Sequence, residues 1–299
     1  MYFALRRKRP WPGREPRLAV DRLDAPGRRP EGRGKNGDGE GARATVHRIA
    51  GIPSRPTNPE ALWRALEPQL AKAELGVFST VSYLNGTILP AARICREIAK
   101  DAGVSLIDAA QSIGILPLNF REAGCDMLTA CLHKWMMAPV GTGIFCVRKD
   151  LINRIWSLHP SEAELDREII KFEHWGTRPF APVLAIREAL DLHELIGLDR
   201  KAKRLNYLRH YLWERLDTLT GVSLYGSGDV ACGIGSIAVA VKDRTGISIA
   251  GELLAKHQVH VTSFARAGID AIRISPHLFT TLHECDQLIE TVGTIAKGF

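Results

Sequence analysis

The sequence predicts an α/β protein, with a large sheet-and-helix domain followed by a smaller α+β domain at the carboxyl end. Three observations predict it. Strand-like and helix-like stretches alternate from Gly76 to about Ile155, as expected of a mainly parallel sheet covered by helices. From Pro182 to about Leu219 the apolar spacing is helical, with a break near Gly197, and beyond Gly221 strands and helices alternate again. The 299 residues are 45% hydrophobic, enough to bury a large core divided into two lobes.

Residues 1–43 hold twelve Lys or Arg against six Asp or Glu, interspersed with Pro and Gly, so +6 of the chain's net +7 resides there. Basic arms bind polyanions and anionic surfaces without specificity. A segment with so few apolar groups is more simply a solvated, disordered tail. Trp11 stands alone among prolines, and no nucleic-acid module is evident. The run Arg6-Arg7-Lys8-Arg9 is not followed by an apolar core, so no secretory signal is expected.

The large domain is assigned to 44–197 and the small one to 198–299. Asn58 and Pro59 read as the N-cap and first position of a helix over 60–73. A helix over 90–102 stops at Gly103, a strand follows over 104–107, and a second strand lies over 126–130. Residues 182–219 lead from one lobe to the other as two helices. The small domain is expected to carry strands at 236–241 and 271–275 and helices at 249–257 and 282–297. Six cysteines show neither a CxxC motif nor zinc-like spacing, so no metal is expected. Cys125, Cys131 and Cys146 read as small packing residues of a reduced, cytoplasmic protein. The apolar run around Lys134 contains Pro and Gly and fits buried strands and loops better than a membrane span.

The chemistry is concentrated in two places. Between Asp126 and Arg148 the only formal charge is Lys134. An ammonium in apolar surroundings loses hydration and becomes a nucleophile toward carbonyls; the ordinary alternative is a snorkelling side chain. Asp108 falls at the carboxyl end of the 104–107 strand, where open α/β sheets bind ligands, although an aspartate there also serves as a helix cap. An acid and a lysine from neighbouring strand ends suit pyridoxal 5′-phosphate. The lysine carries its aldehyde as an imine, and the carboxylate keeps the ring nitrogen protonated.

Asp108-Ala-Ala-Gln111, then His133-Lys134-Trp135 followed by Ala138-Pro-Val-Gly-Thr-Gly143, resembles the class V aminotransferases of pyridoxal-phosphate fold type I. The likeness is greater to isopenicillin-N-epimerase-like members than to cysteine desulfurases. It continues through Gly176-Thr177 and Ile272-Arg273-Ile-Ser-Pro-His277, and covers roughly 44–299. The resemblance implies that Lys134 forms the internal aldimine, Asp108 pairs with the pyridinium nitrogen, Gln111 bonds the ring hydroxyl and His133 approaches the phosphate. It also implies a homodimer in which Gly176 and Thr177 reach the partner's cofactor, and an Arg273 that clamps the substrate α-carboxylate.

Three departures stand out. Cys131 replaces a hydrogen-bonding residue of the family, and Tyr83 occupies a position where the family often has asparagine. The family also runs longer at the amino end, so the large-domain sheet is expected to be incomplete there, without the helix that cradles the phosphate. Desulfurases require a loop cysteine just before the arginine strand; 261–270 has none, and Cys285 falls on a helix beyond Arg273. The function implied is chemistry at the α-carbon of an amino acid, aminotransfer or epimerisation. The rival readings are a catalytically impaired protein of the same fold and a nucleic-acid binder acting through the tail.

Overall fold

The computed structural model describes residues 3–6, 45–48 and 58–298, except 72, 160, 174, 175 and 267; for the first two segments only the backbone is described. The first half contains β1 (Phe3–Arg6), β2 (Thr45–Arg48), α1 (Pro59–Leu70), β3 (Leu75–Ser79), α2 (Ala91–Ala99), β4 (Val104–Asp108), α3 (Phe120–Ala123), β5 (Met127–Cys131) and β6 (Gly143–Val147). Then come α4 (Ala181–Leu184), α5 (Ile186–Ile196), α6 (Leu198–Leu216), β7 (Val222–Tyr225), β8 (Ile237–Val241), α7 (Gly246–His257), β9 (Thr262–Arg266), β10 (Ile269–Ile274) and α8 (Leu282–Lys297).

Six strands form one sheet in the order β2-β1-β3-β4-β5-β6, and four form a second in the order β7-β8-β10-β9. β3, β4 and β5 are parallel; β6 returns antiparallel to β5. The parallel strands are covered on both faces, which is why they read as nearly unbroken apolar runs. On one face α1 and α2 bring Leu62, Trp63, Leu66, Ile94 and Ile98 against Phe78, Ile107 and Leu128. On the other, Leu75, Val104 and Met127 pack with Leu151 and Ile155. The smaller sheet is covered by α6, α7 and α8 through Leu208, Leu212, Ile249, Leu253, Leu288 and Val292. The whole is an α/β protein with a smaller C-terminal α+β part.

One expectation needs correction. Residues 1–43 were assigned to a disordered tail, yet Phe3–Arg6 forms a strand between β2 and β3. Its backbone pairs antiparallel with β2 on one side and with β3 on the other. The rest of that segment, residues 1–2 and 7–43, lies outside the described residues. Among the described residues no helix is long and apolar enough to cross a membrane.

Local chemistry sets the element ends. Asn58 caps α1 by accepting from Ala61 N at 2.8 Å, and Thr281 with Glu284 forms a reciprocal capping box on α8. Gly197, at φ +82°, separates α5 from α6. The amino ends of β4 and β5 are tied by Asp126, only 7% exposed. Its Oδ2 accepts from Ser105 N at 2.7 Å and Ser105 Oγ at 2.9 Å, and its Oδ1 from Arg148 at 2.5 Å. Asp126→Ala leaves the buried Ser105 amide unpaired. It should cost about 3 kcal/mol of unfolding free energy in urea titrations, at the upper end for a lost buried partner; a cost within ~0.5 kcal/mol of zero would contradict this role.

Candidate active site

The parallel register aligns Ser79 with Asp108 and Asp108 with Thr129, so three adjacent strands end together. At that edge Asp108 Oδ1 accepts from Ala110 N at 2.9 Å, and Oδ2 lies 3.5 Å from Ser79 Oγ. Asp108 thus closes a turn at 109–111 instead of capping a helix. Among the described residues only neutral donors hold its carboxylate. Below it, Thr80 Oγ1 donates to Ser112 Oγ at 2.5 Å, and Ala109 N to Thr129 O at 2.8 Å, fixing the turn to the sheet.

β5 delivers Leu132 to Ala138 as a tight loop. Leu132 N bonds Thr142 O, Ala138 N bonds Leu132 O, and Met137 N bonds Lys134 O, all at 3.0 Å. Met137 takes φ +57° to complete it, a left-handed conformation that costs a non-glycine residue of order 1 kcal/mol. The loop turns Trp135 and Met136 inward, whereas His133 and Lys134 are exposed. The expected loss of hydration at Lys134 is therefore not observed: its apolar sequence neighbours face the core, and its own side chain does not.

The buried lysine is a different one. Lys201, on α6 and 1% exposed, donates to Trp135 O, and its Nζ lies 3.2 Å from His193 Nε2. Burial pulls its pKa down to about 8. His193 Nε2 is also 3.2 Å from Met136 O, so two residues from α5 and α6 grip consecutive carbonyls of the Lys134 loop. Trp135 in turn donates Nε1 to Gln111 Oε1 at 2.9 Å and stacks on His277 at 5.4 Å. Burial, then the nearby charge of Lys201, lowers the His277 pKa to about 4. Neither Lys201, His193 nor His277 was singled out from the sequence. A signal for Lys201 existed in its spacing, four residues before buried Leu205 and seven before Leu208.

Arg273 emerges from β10 between Ile272 and Ile274, both buried. It donates from Nη1 to Tyr83 O at 3.0 Å and from Nη2 toward Thr262 Oγ1 at 3.4 Å. Its Nε is buried without a partner, and burial lowers its pKa. The strand ends thus bring together Asp108, Gln111 and the Lys134 loop, joined through Trp135 to His277 of the small domain, while Arg273 of the small domain reaches Tyr83 of the large one. Gly176 and Thr177 are exposed and form no recorded hydrogen bond with these groups. Cys131 is half-buried. Cys285 lies buried on α8, its thiol pKa raised by burial.

The aminotransferase class-V family matches residues 43–288. The chain belongs to that family. It is 26% identical over 256 residues to the isopenicillin N epimerase of Amycolatopsis lactamdurans, covering 80% of this chain and 63% of that protein. To a probable cysteine desulfurase of Halalkalibacterium halodurans it is 28% identical over 254 residues, covering 76% and 59%. The apo cysteine desulfurase of Thermococcus onnurineus NA1 superposes with a TM-score of 0.68 at 22% identity, covering 79% of this chain and 63% of that one, a likeness of fold. This class-V chain therefore spans about three fifths of the length of these curated relatives, which are divided between epimerases and desulfurases.

Pyridoxal 5′-phosphate is the cofactor consistent with this membership. The residues fit its ring. Among the described residues Asp108 is a strand-end carboxylate without a cationic partner, suited to a protonated ring nitrogen, and Lys134 is an accessible amine just past the next strand end. Arg273, on β10, carries a guanidinium of the kind that takes a carboxylate.

Proposed function

We propose that this class-V chain is an enzyme acting at the α-carbon of an amino acid by aminotransfer or epimerisation. The observation that carries the reading is the delivery of Asp108 and Lys134 from the carboxyl ends of adjacent parallel strands, with no basic group recorded against the acid. Pyridoxal phosphate supplies an electron sink for the charge that develops at the α-carbon. Lys134 would hold the cofactor through its amine and would serve as general base for the α-proton. Asp108 would keep a proton on the ring nitrogen, Gln111 would serve the ring hydroxyl and His133 the phosphate. Arg273 orients the substrate carboxylate beside Tyr83, using a planar fork that is always charged.

A homodimer in which Thr177 and Gly176 serve the partner's cofactor accompanies this reading. Supporting it, Phe180, Val183, Leu184 and Leu195 are exposed just beyond Thr177, an apolar surface of the kind that marks association. Desulfuration is disfavoured because 261–270 carries no cysteine and the Cys285 thiol is buried. A reduced cytoplasm suits six free thiols.

The reading is tested by exchange of amino-acid α-hydrogens for deuterium in the cofactor-loaded chain. Asp108→Asn should slow it about 10²-fold or more, the scale for removing one preorganised charge. Unchanged exchange in that variant would remove Asp108 from the chemistry.

A further inference from the structure

Tyr83, which Arg273 contacts, has a second cation against it that chemistry at the α-carbon does not employ. Arg266 ends β9, and its Nη1 donates to the phenol oxygen of Tyr83 at 3.2 Å. Arg273 donates to the backbone carbonyl of that same tyrosine at 3.0 Å. The two arginines sit on antiparallel neighbours, Arg273 opposite Thr262 and Arg266 opposite Ile269. Their Cα atoms are thus offset by four residues, about 13 Å along the strands. Tyr83 bridges that offset, its carbonyl toward one guanidinium and its phenol toward the other. Among the described residues neither arginine pairs with an Asp or Glu.

Two cations directed at one neutral residue repel each other, and Arg273 Nε adds a buried donor without a partner. An arginine at a hairpin end with no task gains most by extending into water. Arg266, exposed like Tyr83 (37%), nonetheless directs its guanidinium onto that phenol. The arrangement is relieved by a ligand with two negative groups, each taken by one guanidinium fork.

We propose that Arg266 and the Tyr83 phenol receive an anionic group at the far end of the substrate side chain, so that the substrate is an amino acid with an acidic tail. Its α-carboxylate goes to Arg273, and in this the inference rests on the function proposed above. The two anionic groups must be separated by about the reach of a tyrosine side chain, which favours a tail several carbons long over a single methylene.

The test is calorimetric titration of the cofactor-loaded chain with butyrate, glutarate and adipate. The dicarboxylates should bind about tenfold more tightly than butyrate, equivalent to about 1.4 kcal/mol. Arg266→Gln should erase that difference, Arg266→Lys should keep part of it, and Arg273→Gln should weaken all three ligands. Equal affinities in the parent chain, or a preference that survives Arg266→Gln, would overturn the proposal. The visible absorption of the bound cofactor, recorded in parallel, separates the two readings. A band without the preference sinks only the acidic tail; the preference without a Lys134-dependent band sinks the cofactor chemistry and leaves the anion site standing.

Discussion

Lys134→Ala is expected to abolish the visible absorption that pyridoxal phosphate gives the desalted chain and to slow α-hydrogen exchange by at least about 10²-fold, the lower range for a positioned general base. Both losses have one origin, since a methyl group neither forms an imine nor accepts a proton. The substitution should leave the fold intact. Lys134 is exposed and forms no recorded side-chain hydrogen bond, and the loop is closed by backbone bonds among Leu132, Lys134, Met137, Ala138 and Thr142. Far-ultraviolet circular dichroism and the urea midpoint should therefore match the parent. That combination matters, because a band lost together with the fold would say nothing about the amine. A desalted Lys134→Ala chain that retains the band would show that another group, buried Lys201 being the nearest candidate along this loop, holds the cofactor.

The exposed Lys134 and buried Lys201 show where sequence reading succeeds and where it stops. β4, β5 and the placement of Asp108 at a strand end were legible because a doubly covered parallel strand reads as an apolar run bounded by a glycine or a polar residue. Asn58, Gly197 and the helix over 282–297 were legible because caps and breaks are local chemistry. Arg273 was legible because a lone cation inside Ala271-Ile-Arg-Ile has no cheap explanation. Lys134 drew the same inference and misled it in part. Within a loop, neighbours in sequence turn to opposite sides, so the apolar character of Trp135 and Met136 said nothing about the hydration of Lys134. Lys201 stayed hidden in the charged stretch Asp199-Arg-Lys-Ala-Lys-Arg204, where Lys203 is exposed and Lys201 is not. The spacing to Leu205 and Leu208 marks the buried face, but which carbonyls Lys201 meets depends on packing against the other lobe, which no local pattern records. The same holds for the joint grip of Arg266 and Arg273 on Tyr83, some 180 residues away in the chain.

Lys201→Met is expected to remove a rise in stability that the parent chain shows between about pH 8 and pH 10.5. The pKa of Lys201 falls from 10.5 in the unfolded chain to about 8 in the folded one, because burial disfavours the ammonium. Within that window the unfolded chain binds the proton and the folded chain does not, so unfolding free energy climbs with pH. Below pH 8 both states are charged, and the desolvation penalty is present in full. The rise amounts to at most about 3.5 kcal/mol, at ~1.4 kcal/mol per pKa unit. Subtracting the methionine variant's profile from the parent's, by urea unfolding across the window, cancels every other titrating group; a flat difference would refute the assignment. The geometry gives this titration a local consequence. A charged Lys201 donates to both Trp135 O and His193 Nε2, which obliges Nε2 to accept and leaves Met136 O without its histidine donor. A neutral Lys201 keeps its bond to Trp135 O and lets His193 Nε2–H turn toward Met136 O. Hydrogen exchange of the 132–138 segment should therefore slow as pH rises through 8, after correction for intrinsic rates, and should lose that step in Lys201→Met. The backbone that carries Lys134 is then held most firmly when the lysine beneath it is uncharged.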